Sequence, residues 1–84
     1  MSVKQSKKRL AVRVDHDLLM KCARNRNLTK KAYRVCLYLL TIADSKGFTE
    51  VSQKEIADEI DMDKASVSLA LKNLKEEGII VHFP

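Results

Sequence analysis

Four carboxylates crowd the segment between residues 58 and 63 and are the first candidates for chemistry. Asp58, Glu59, Asp61 and Asp63 supply the oxygen atoms that Ca²⁺ and Mg²⁺ prefer as ligands. Their positions also have a structural explanation. Asp63 directly precedes a segment with helical apolar spacing, where it suits the N-cap, while Asp58 and Glu59 fall on the polar face of the preceding helix. We therefore expect no metal site in this segment.

The cysteines and histidines also lack the spacing of a metal or catalytic site. Cys22 and Cys36 form no C-x-x-C pair, and His16 and His82 are the only histidines. Both cysteines fall within apolar patterns, which predicts small buried side chains in a reducing compartment. The sequence has neither a glycine-rich phosphate loop nor a nucleophile motif. We expect a protein that is not an enzyme and needs no cofactor.

Positive charge is concentrated in the N-terminal part of the chain. Residues 1–34 contain eleven Lys and Arg against two Asp, whereas residues 35–84 contain five Lys against nine Asp and Glu. A basic half joined to an acidic half favours a polyanionic partner over general solubility. For the run from Lys4 to Arg9 alone, we favour a solvated tail.

The chain has the length of one small domain, which we assign to residues 9–84, behind a basic flexible arm at residues 1–8. The alternation in "RLAVRV" predicts a half-buried strand over residues 9–14. The next segment, "HDLLMKCAR", predicts a short helix that Asp15 caps. No apolar run has the length of a membrane span or the form of a secretory signal, so we expect no membrane partner and a cytoplasmic location.

The segment "KKAYRVCLYLLTIADSK", residues 30–46, has the clearest helical periodicity in the sequence. Thr29 suits its N-cap and Gly47 its C-terminal stop. Leu37 and Leu40 widen the apolar stripe, which predicts that this helix is buried around most of its girth. The following "FTEV" is interpreted as a short extended link.

Two further helices follow with almost no chain between them. Ser52 and Glu55 form a capping box for "QKEIADEI", residues 53–60. Asp63 caps "KASVSLALKNLKEE", residues 64–77, and Gly78 ends that helix before the predicted strand "IIVHF". Only "DMD" joins the two helices, and so short a turn imposes a steep crossing.

A steep crossing needs particular residues at the junction. Ala57 is small where the two backbones approach, Met62 is apolar in the turn, and Val67 is apolar where the second helix meets the first. The turn position that glycine usually fills is Asp61, which tolerates the left-handed backbone conformation better than most residues. These are the constraints of a helix-turn-helix, which presents its second helix to the major groove of DNA.

The segment "IADEIDMDKASVSLALKNLKEEGIIV" resembles the winged helix-turn-helix of the MarR and GntR transcription factors. The upstream "LTKKAYRVCLYLL" resembles the helix before that motif, and the small winged-helix proteins of plasmid replication and partition are also similar. The resemblance covers about residues 28–83 and implies a mostly α fold with a small β-ribbon, a winged helix-turn-helix that binds double-stranded DNA. The residues that match the pattern in register are Val67, Ser68, Ala70, Leu71, Leu74, Gly78, Ile79 and Ile80.

Two features depart from the family pattern. Leu69 stands where a polar residue that reaches DNA is common, and we predict that it points outward. A wing also needs a return strand after "IIVHF", and the sequence stops at Pro84. Either the wing is truncated or the strand at residues 9–14 supplies the partner. We favour the second, because that strand otherwise has no mate.

The resemblance and the charge pattern together predict a DNA-binding surface. It combines the first turns of the second motif helix, the starts of the two preceding helices, and the basic arm. Any one of its lysines serves solubility equally well, so the prediction rests on their coincidence with the motif. The predicted contacts are Lys64, Ala65, Ser66, Ser68, Lys72, Ser52, Gln53, Lys54, Lys30, Lys31, Lys7, Lys8 and Arg9.

Two classes of function fit this pattern. The favoured class is a double-stranded DNA-binding protein that acts as a transcriptional repressor, or as a replication or centromere-binding partition factor of a plasmid. The alternative is a winged-helix module that binds another protein. A module this small contacts little DNA, so we expect a homodimer on repeated half-sites. The candidate interface residues are Leu69, Leu18, Leu19 and Tyr38.

Overall fold

Two pairs of helices lie between three short strands along the chain. A computed structural model describes residues 9–14 and 17–83. The helices dominate and the strands form one small sheet, which agrees with the predicted winged helix-turn-helix. The elements are β1 (Arg9–Val14), α1 (Leu18–Arg24), α2 (Lys30–Ile42), β2 (Phe48–Ser52), α3 (Gln53–Ile60), α4 (Lys64–Glu76) and β3 (Ile80–Phe83).

The N-terminal strand β1 is the centre of a three-stranded antiparallel sheet with the order β2-β1-β3. On one side Arg13 pairs with Phe48 of β2, and on the other Ala11 pairs with Phe83 of β3. The prediction that β1 supplies the mate of the C-terminal strand is confirmed. The segment "FTEV" is extended, as predicted, but it is a paired strand as well as a link, because β1 offers hydrogen-bonding groups on both edges and β2 uses the second one.

Helices α2, α3 and α4 pack with the inner face of the sheet around an aliphatic core. Val12 and Val14 are buried while Arg13 between them is exposed, which confirms the alternation predicted for β1. Leu39 of α2 and Leu74 of α4 are fully buried in the same cluster. Each such side chain contributes about 1.5–3 kcal/mol relative to remaining exposed. This core holds the helices in register with one another.

The two cysteines lie in the contact between α1 and α2. Cys22 and Cys36 are both buried, and their Sγ atoms lie 3.5 Å apart. Burial, followed by the hydrogen bond with Cys22, raises the pKa of Cys36 to about 12. The thiol therefore stays protonated and packs as a small apolar group, which confirms the prediction for these residues. The Tyr33 hydroxyl lies 2.9 Å from the carbonyl oxygen of Cys22 and 3.1 Å from that of Asn25.

The ends of α1 agree with the sequence pattern only in part. The helix ends at Arg24, as the segment "HDLLMKCAR" predicts, and Asn25 is its C-cap. The helix begins at Leu18 with Asp17 at the N-cap, and the Asp17 side chain forms no capping hydrogen bond. The predicted cap, Asp15, lies outside the described residues.

The C-terminal end of α2 lies earlier than predicted. The helix stops at Ile42, and the Asp44 carboxylate then accepts hydrogen bonds from the amides of Phe48 at 3.0 Å and Lys46 at 2.8 Å. These bonds lower the pKa of Asp44. Gly47, with φ of +86°, belongs to this turn and not to the helix end. The apolar periodicity extends α2 to Lys46, but the hydrogen bonds between Asp44 and the nearby backbone end the helix earlier.

The outer face of α2 is more exposed than predicted. Leu37 is 55% exposed, and Leu40 is only partly buried against the core. The prediction that α2 is buried around most of its girth is wrong, because α3, α4 and the sheet cover one side of it. Leu37, Tyr38 and Thr41 line a shallow groove with Arg34 and Ile60.

Candidate DNA-binding surface

The joint between α3 and α4 has the geometry that the sequence predicts for a helix-turn-helix. Ala57 is 6% exposed, Met62 is 9% exposed and Val67 is fully buried, so the three junction residues pack inward. Asp61 adopts the left-handed conformation with φ of +56°. The Met62 amide donates to the Ala57 carbonyl at 2.9 Å, which closes the end of α3 over the turn. The crossing of α3 and α4 is thereby tightly constrained.

One face of α4 is open to solvent. The exposed residues of its first three turns are Lys64, Ala65, Ser68, Leu69 and Lys72, and Leu69 is 67% exposed. This face carries two ammonium groups and one hydroxyl, which can donate to phosphates and base edges. The opposite face packs on the core, which fixes the orientation of the open face. The outward position predicted for Leu69 is confirmed.

Ser66 does not belong to that open face. It is 7% exposed, its amide donates to Asp63 Oδ2 at 2.9 Å, and its hydroxyl donates to Asp63 Oδ1 at 2.7 Å. These bonds, the hydroxyl first, lower the pKa of Asp63, and the nearby Lys31 ammonium adds to the effect. The prediction that Ser66 points outward is wrong, because the N-cap and α2 enclose its side chain. Its contact with DNA stays a prediction.

Lys31 forms the other half of that arrangement. Its Nζ donates to Ser66 Oγ at 2.8 Å, while the rest of the side chain is exposed. Lys30, the first residue of α2, is exposed beside it. Thr29 caps the helix as predicted, since its Oγ1 accepts from the Ala32 amide at 3.1 Å. The start of α2 therefore lies next to the start of α4 and brings two cations to it.

The start of α3 is closed by the predicted capping box. Ser52 Oγ accepts from the Glu55 amide at 3.0 Å, and the Ser52 amide donates to Glu55 Oε1 at 3.1 Å. Ser52 is 5% exposed, so its own hydroxyl is committed to the cap. Gln53 and Lys54 follow at the surface, and Lys54 forms a 2.9 Å ion pair with Asp58. The amides of Gln53 and Lys54 are the groups at this end that suit a phosphate.

Of the remaining predicted residues, the structure describes the side chain of Tyr38 but not those of the others. Lys7, Lys8 and the side chains of Arg9, Leu18 and Leu19 lie outside the described part of the chain. Tyr38 is partly buried on α2, and desolvation together with the carboxylates of Glu59 and Glu55 raises its pKa.

Arg24 and Arg26 are absent from the predicted surface, yet both are exposed in the segment that leads from α1 to α2. The available signal in the sequence is a stretch without acids. Residues 18–43 contain six Lys and Arg and no Asp or Glu. Such a run predicts a local positive potential that neighbouring carboxylates do not cancel.

In the part of the chain that the structure describes, the requirements of a metal site and of a membrane-spanning helix are not met. Within residues 9–14 and 17–83, no three His, Cys, Asp or Glu side chains gather as metal ligands would. No helix in those ranges is long and apolar enough to cross a bilayer.

A comparison with protein families identifies a helix-turn-helix domain. The model of the Crp-like helix-turn-helix domain matches residues 33–83, from the first turn of α2 to the end of β3. No curated protein and no solved structure matches the chain. The match covers the helix-turn-helix and the strand that follows it. The closer likeness to MarR and GntR proteins and to plasmid proteins stays a prediction.

Proposed function

Because the chain belongs to the Crp-like helix-turn-helix domain family, it is a DNA-binding protein, and we propose that it acts on double-stranded DNA as a transcriptional repressor. In this proposal α4 enters the major groove. The domain at residues 9–84 supplies the base contacts, and the arm at residues 1–8 adds phosphate contacts.

The observation that carries the proposal is the open face of α4. Lys64, Ser68 and Lys72 are exposed on one side of a helix whose other side is buried in the core. An α-helix with its side chains is about 10–12 Å wide, which fits the width of the major groove. Lys64 and Ser68 lie one turn apart, so both reach the groove floor when the N-terminal half of α4 faces it.

Repression is the activity that such binding supplies most directly. A protein seated in the major groove of a promoter keeps other proteins from the same DNA by its volume alone. Occupation of a plasmid origin or centromere by the same surface is the other proposed use. Sequencing of the fragments that the protein selects from chromosomal and plasmid DNA separates these uses, since promoters support repression and repeated origin or centromere sites support the plasmid roles.

The test of the binding surface is the double substitution Lys64→Ala with Ser68→Ala, measured on a selected duplex. We expect specific binding to weaken by about 1–3 kcal/mol with an unchanged melting temperature. The matched control is Ser45→Ala with Lys46→Ala, which removes the same two side-chain types from the exposed turn before β2. Unchanged affinity of the α4 variant would show that a different surface binds DNA.

The alternative function, a module that binds another protein, makes a different prediction in the same assay. DNA binding through Lys and Arg releases counterions, so the logarithm of affinity falls steeply with the logarithm of salt concentration. A module that binds another protein has no steep slope on duplex DNA. A flat salt dependence for the full chain would therefore favour that alternative.

A further inference from the structure

The segment from α1 to α2 is a second basic surface beside α4. Arg24, Arg26 and Lys30 are exposed, and none of them forms an ion pair with a carboxylate of residues 9–14 or 17–83. They belong to the stretch of residues 18–43 that contains no acid. Three cations lie within seven residues, and the Glu77 carboxylate that binds this loop offsets at most one of their charges, which leaves a net positive site for a polyanion.

Asn73 of α4 holds this segment in place. Its Oδ1 accepts from the Thr29 amide at 3.0 Å, and its Nδ2 donates to the Asn27 carbonyl at 3.2 Å. One side chain thus satisfies both a donor and an acceptor of the loop backbone. These two bonds attach the loop backbone to the side of α4.

Glu77 and Asn25 add a second set of bonds. Glu77 Oε1 accepts from Asn25 Nδ2 at 3.0 Å and from Asn27 Nδ2 at 3.4 Å. Asn25 Oδ1 in turn accepts from the Asn27 amide at 2.7 Å. Because the Glu77 carboxylate binds these amides, it is turned toward the loop. The loop therefore lies against the last two turns of α4 as part of the same rigid unit.

We infer that Arg24, Arg26 and Lys30 contact the DNA phosphates that border the groove holding α4, and that Asn73 is the positioning residue that sets their reach. The inference rests on the proposed function, since it assumes that α4 lies in the major groove. A helix in that groove has a phosphate backbone along each side. A cationic loop fastened to the flank of the helix meets one of those backbones.

The contacts are of the kind that position a protein without reading sequence. Arg and Lys bind phosphate oxygens equally well on any base pair, so their loss weakens binding on all duplexes alike. Asn73 acts indirectly, because it touches the loop and not the DNA in this arrangement. Removal of the Asn73 side chain should reduce the contribution of the loop cations to DNA affinity, even though all three cations remain.

The test is the triple substitution Arg24→Gln, Arg26→Gln and Lys30→Gln in the full chain. Each phosphate contact contributes about 0.9 to the slope of log affinity against log salt, so the slope should become shallower by roughly 2–3. Preference for the selected site over random duplex should stay within about twofold. The single charge removal Lys46→Gln in the turn before β2 is the control and should leave the slope unchanged. An unchanged slope for the triple variant would overturn the inference.

The Asn73→Ala substitution tests the positioning role. The readout is the change in salt slope, which a loss of stability alone does not alter. The triple change is measured in the wild-type and Asn73→Ala backgrounds, at temperatures where both are folded. We expect a smaller change in salt slope in the Asn73→Ala background, because the released loop no longer meets the phosphates. Equal changes in both backgrounds would remove Asn73 from the inference.

The Lys64→Ala and Ser68→Ala variant is measured in parallel to separate two failures. If that variant loses specific binding and the loop variant retains its salt slope, only the loop inference is wrong. If neither variant affects binding, the proposed function of α4 is wrong as well.

Discussion

The ammonium group of Lys31 lies 2.8 Å from the hydroxyl oxygen of Ser66, which joins the first turn of α2 to the first turn of α4. The same hydroxyl donates to the carboxylate of Asp63 at 2.7 Å. The side chains of Lys31, Ser66 and Asp63 therefore fix the start of α4 relative to α2. The open face of α4 starts from this arrangement.

Substitution of Ser66 by Ala should lower the free energy of unfolding by about 1 kcal/mol, because the hydroxyl makes two hydrogen bonds in a nearly buried position. Urea denaturation measures the difference. Ser68→Ala on the exposed face of the same helix is the control and should change stability by less than about 0.5 kcal/mol. Equal losses from both substitutions would contradict the role of the Lys31–Ser66 contact.

The pH dependence of stability should report on Asp63. Its pKa is lowered in the folded chain, so its contribution is present above the ordinary value of 3.8 and is lost as the pH falls through the lowered folded-state pKa. Asp63→Asn keeps a capping side chain but does not titrate there. We expect the stability difference between wild type and Asp63→Asn to be constant near neutral pH and to shrink in acid.

Urea denaturation at a series of pH values measures that difference. Asp44 also has a lowered pKa, but it is present in both proteins and its effect cancels. A difference that stays constant into strong acid would mean that the Asp63 charge does not stabilise the cap.

The two glycines with positive φ should respond differently to Ala. At Gly78, with φ of +72°, a Cβ meets no atom within 4 Å, so Gly78→Ala should cost only the left-handed conformation, about 1–2 kcal/mol. At Gly47 a Cβ would lie 2.3 Å from the Val14 carbonyl oxygen. The backbone must shift there, and the 2.7 Å bond from the Val14 amide to the Gly47 carbonyl is disturbed. Thermal unfolding should show the larger loss for Gly47→Ala.

Deletion of residues 1–8 should make the salt dependence of DNA binding shallower with little change in site preference. The arm joins β1 at Arg9, whose backbone pairs with that of Ser52 immediately before α3. The attachment point of the arm therefore lies beside the start of α3, whose amides suit a phosphate. Mobility shifts over a range of salt concentrations give the slope. Identical slopes for the full and shortened chains would refute the contribution of the arm.

We predict a homodimer in solution, and two exposed apolar surfaces compete for its interface. One is Leu69 on α4, and the other is the groove at Leu37 and Tyr38 on α2. A charge placed in a buried interface is left without a partner, so Leu69→Glu should split a dimer built through α4. Leu37→Glu is the matched substitution on α2. Sedimentation of wild type and both variants identifies the surface, and a monomeric wild type would refute the dimer.

Local signals in the sequence were sufficient for the helix-turn-helix itself. Ser52, Asp63 and Thr29 each cap a helix as predicted, because a cap depends on the residues within one turn of it. The left-handed turn at Asp61 follows from the same kind of local chemistry. The bounds of α3 agree for this reason.

The errors arose where the partner is distant in the sequence. The burial of Ser66 depends on Lys31, and the pairing of β2 depends on a strand from the other end of the domain. The hydrophobic periodicity around Ser66 gives no sign of Lys31, and that of β2 gives no sign of β1. The role of Asn73 is of the same type, since a single polar residue at a helix surface gives no indication of the loop it binds.

The central position of β1 has a consequence for folding. Among the described elements, both other strands pair with β1, and β3 is separated from it in sequence by the four helices. Helices α2, α3 and α4 contact one another locally and can pack early, whereas the sheet closes only when β3 arrives. Until then one edge of β1 is unpaired, and an open edge is a template for a second chain. The chain is therefore most prone to edge-to-edge association while the helices are packed and β3 is not yet paired with β1.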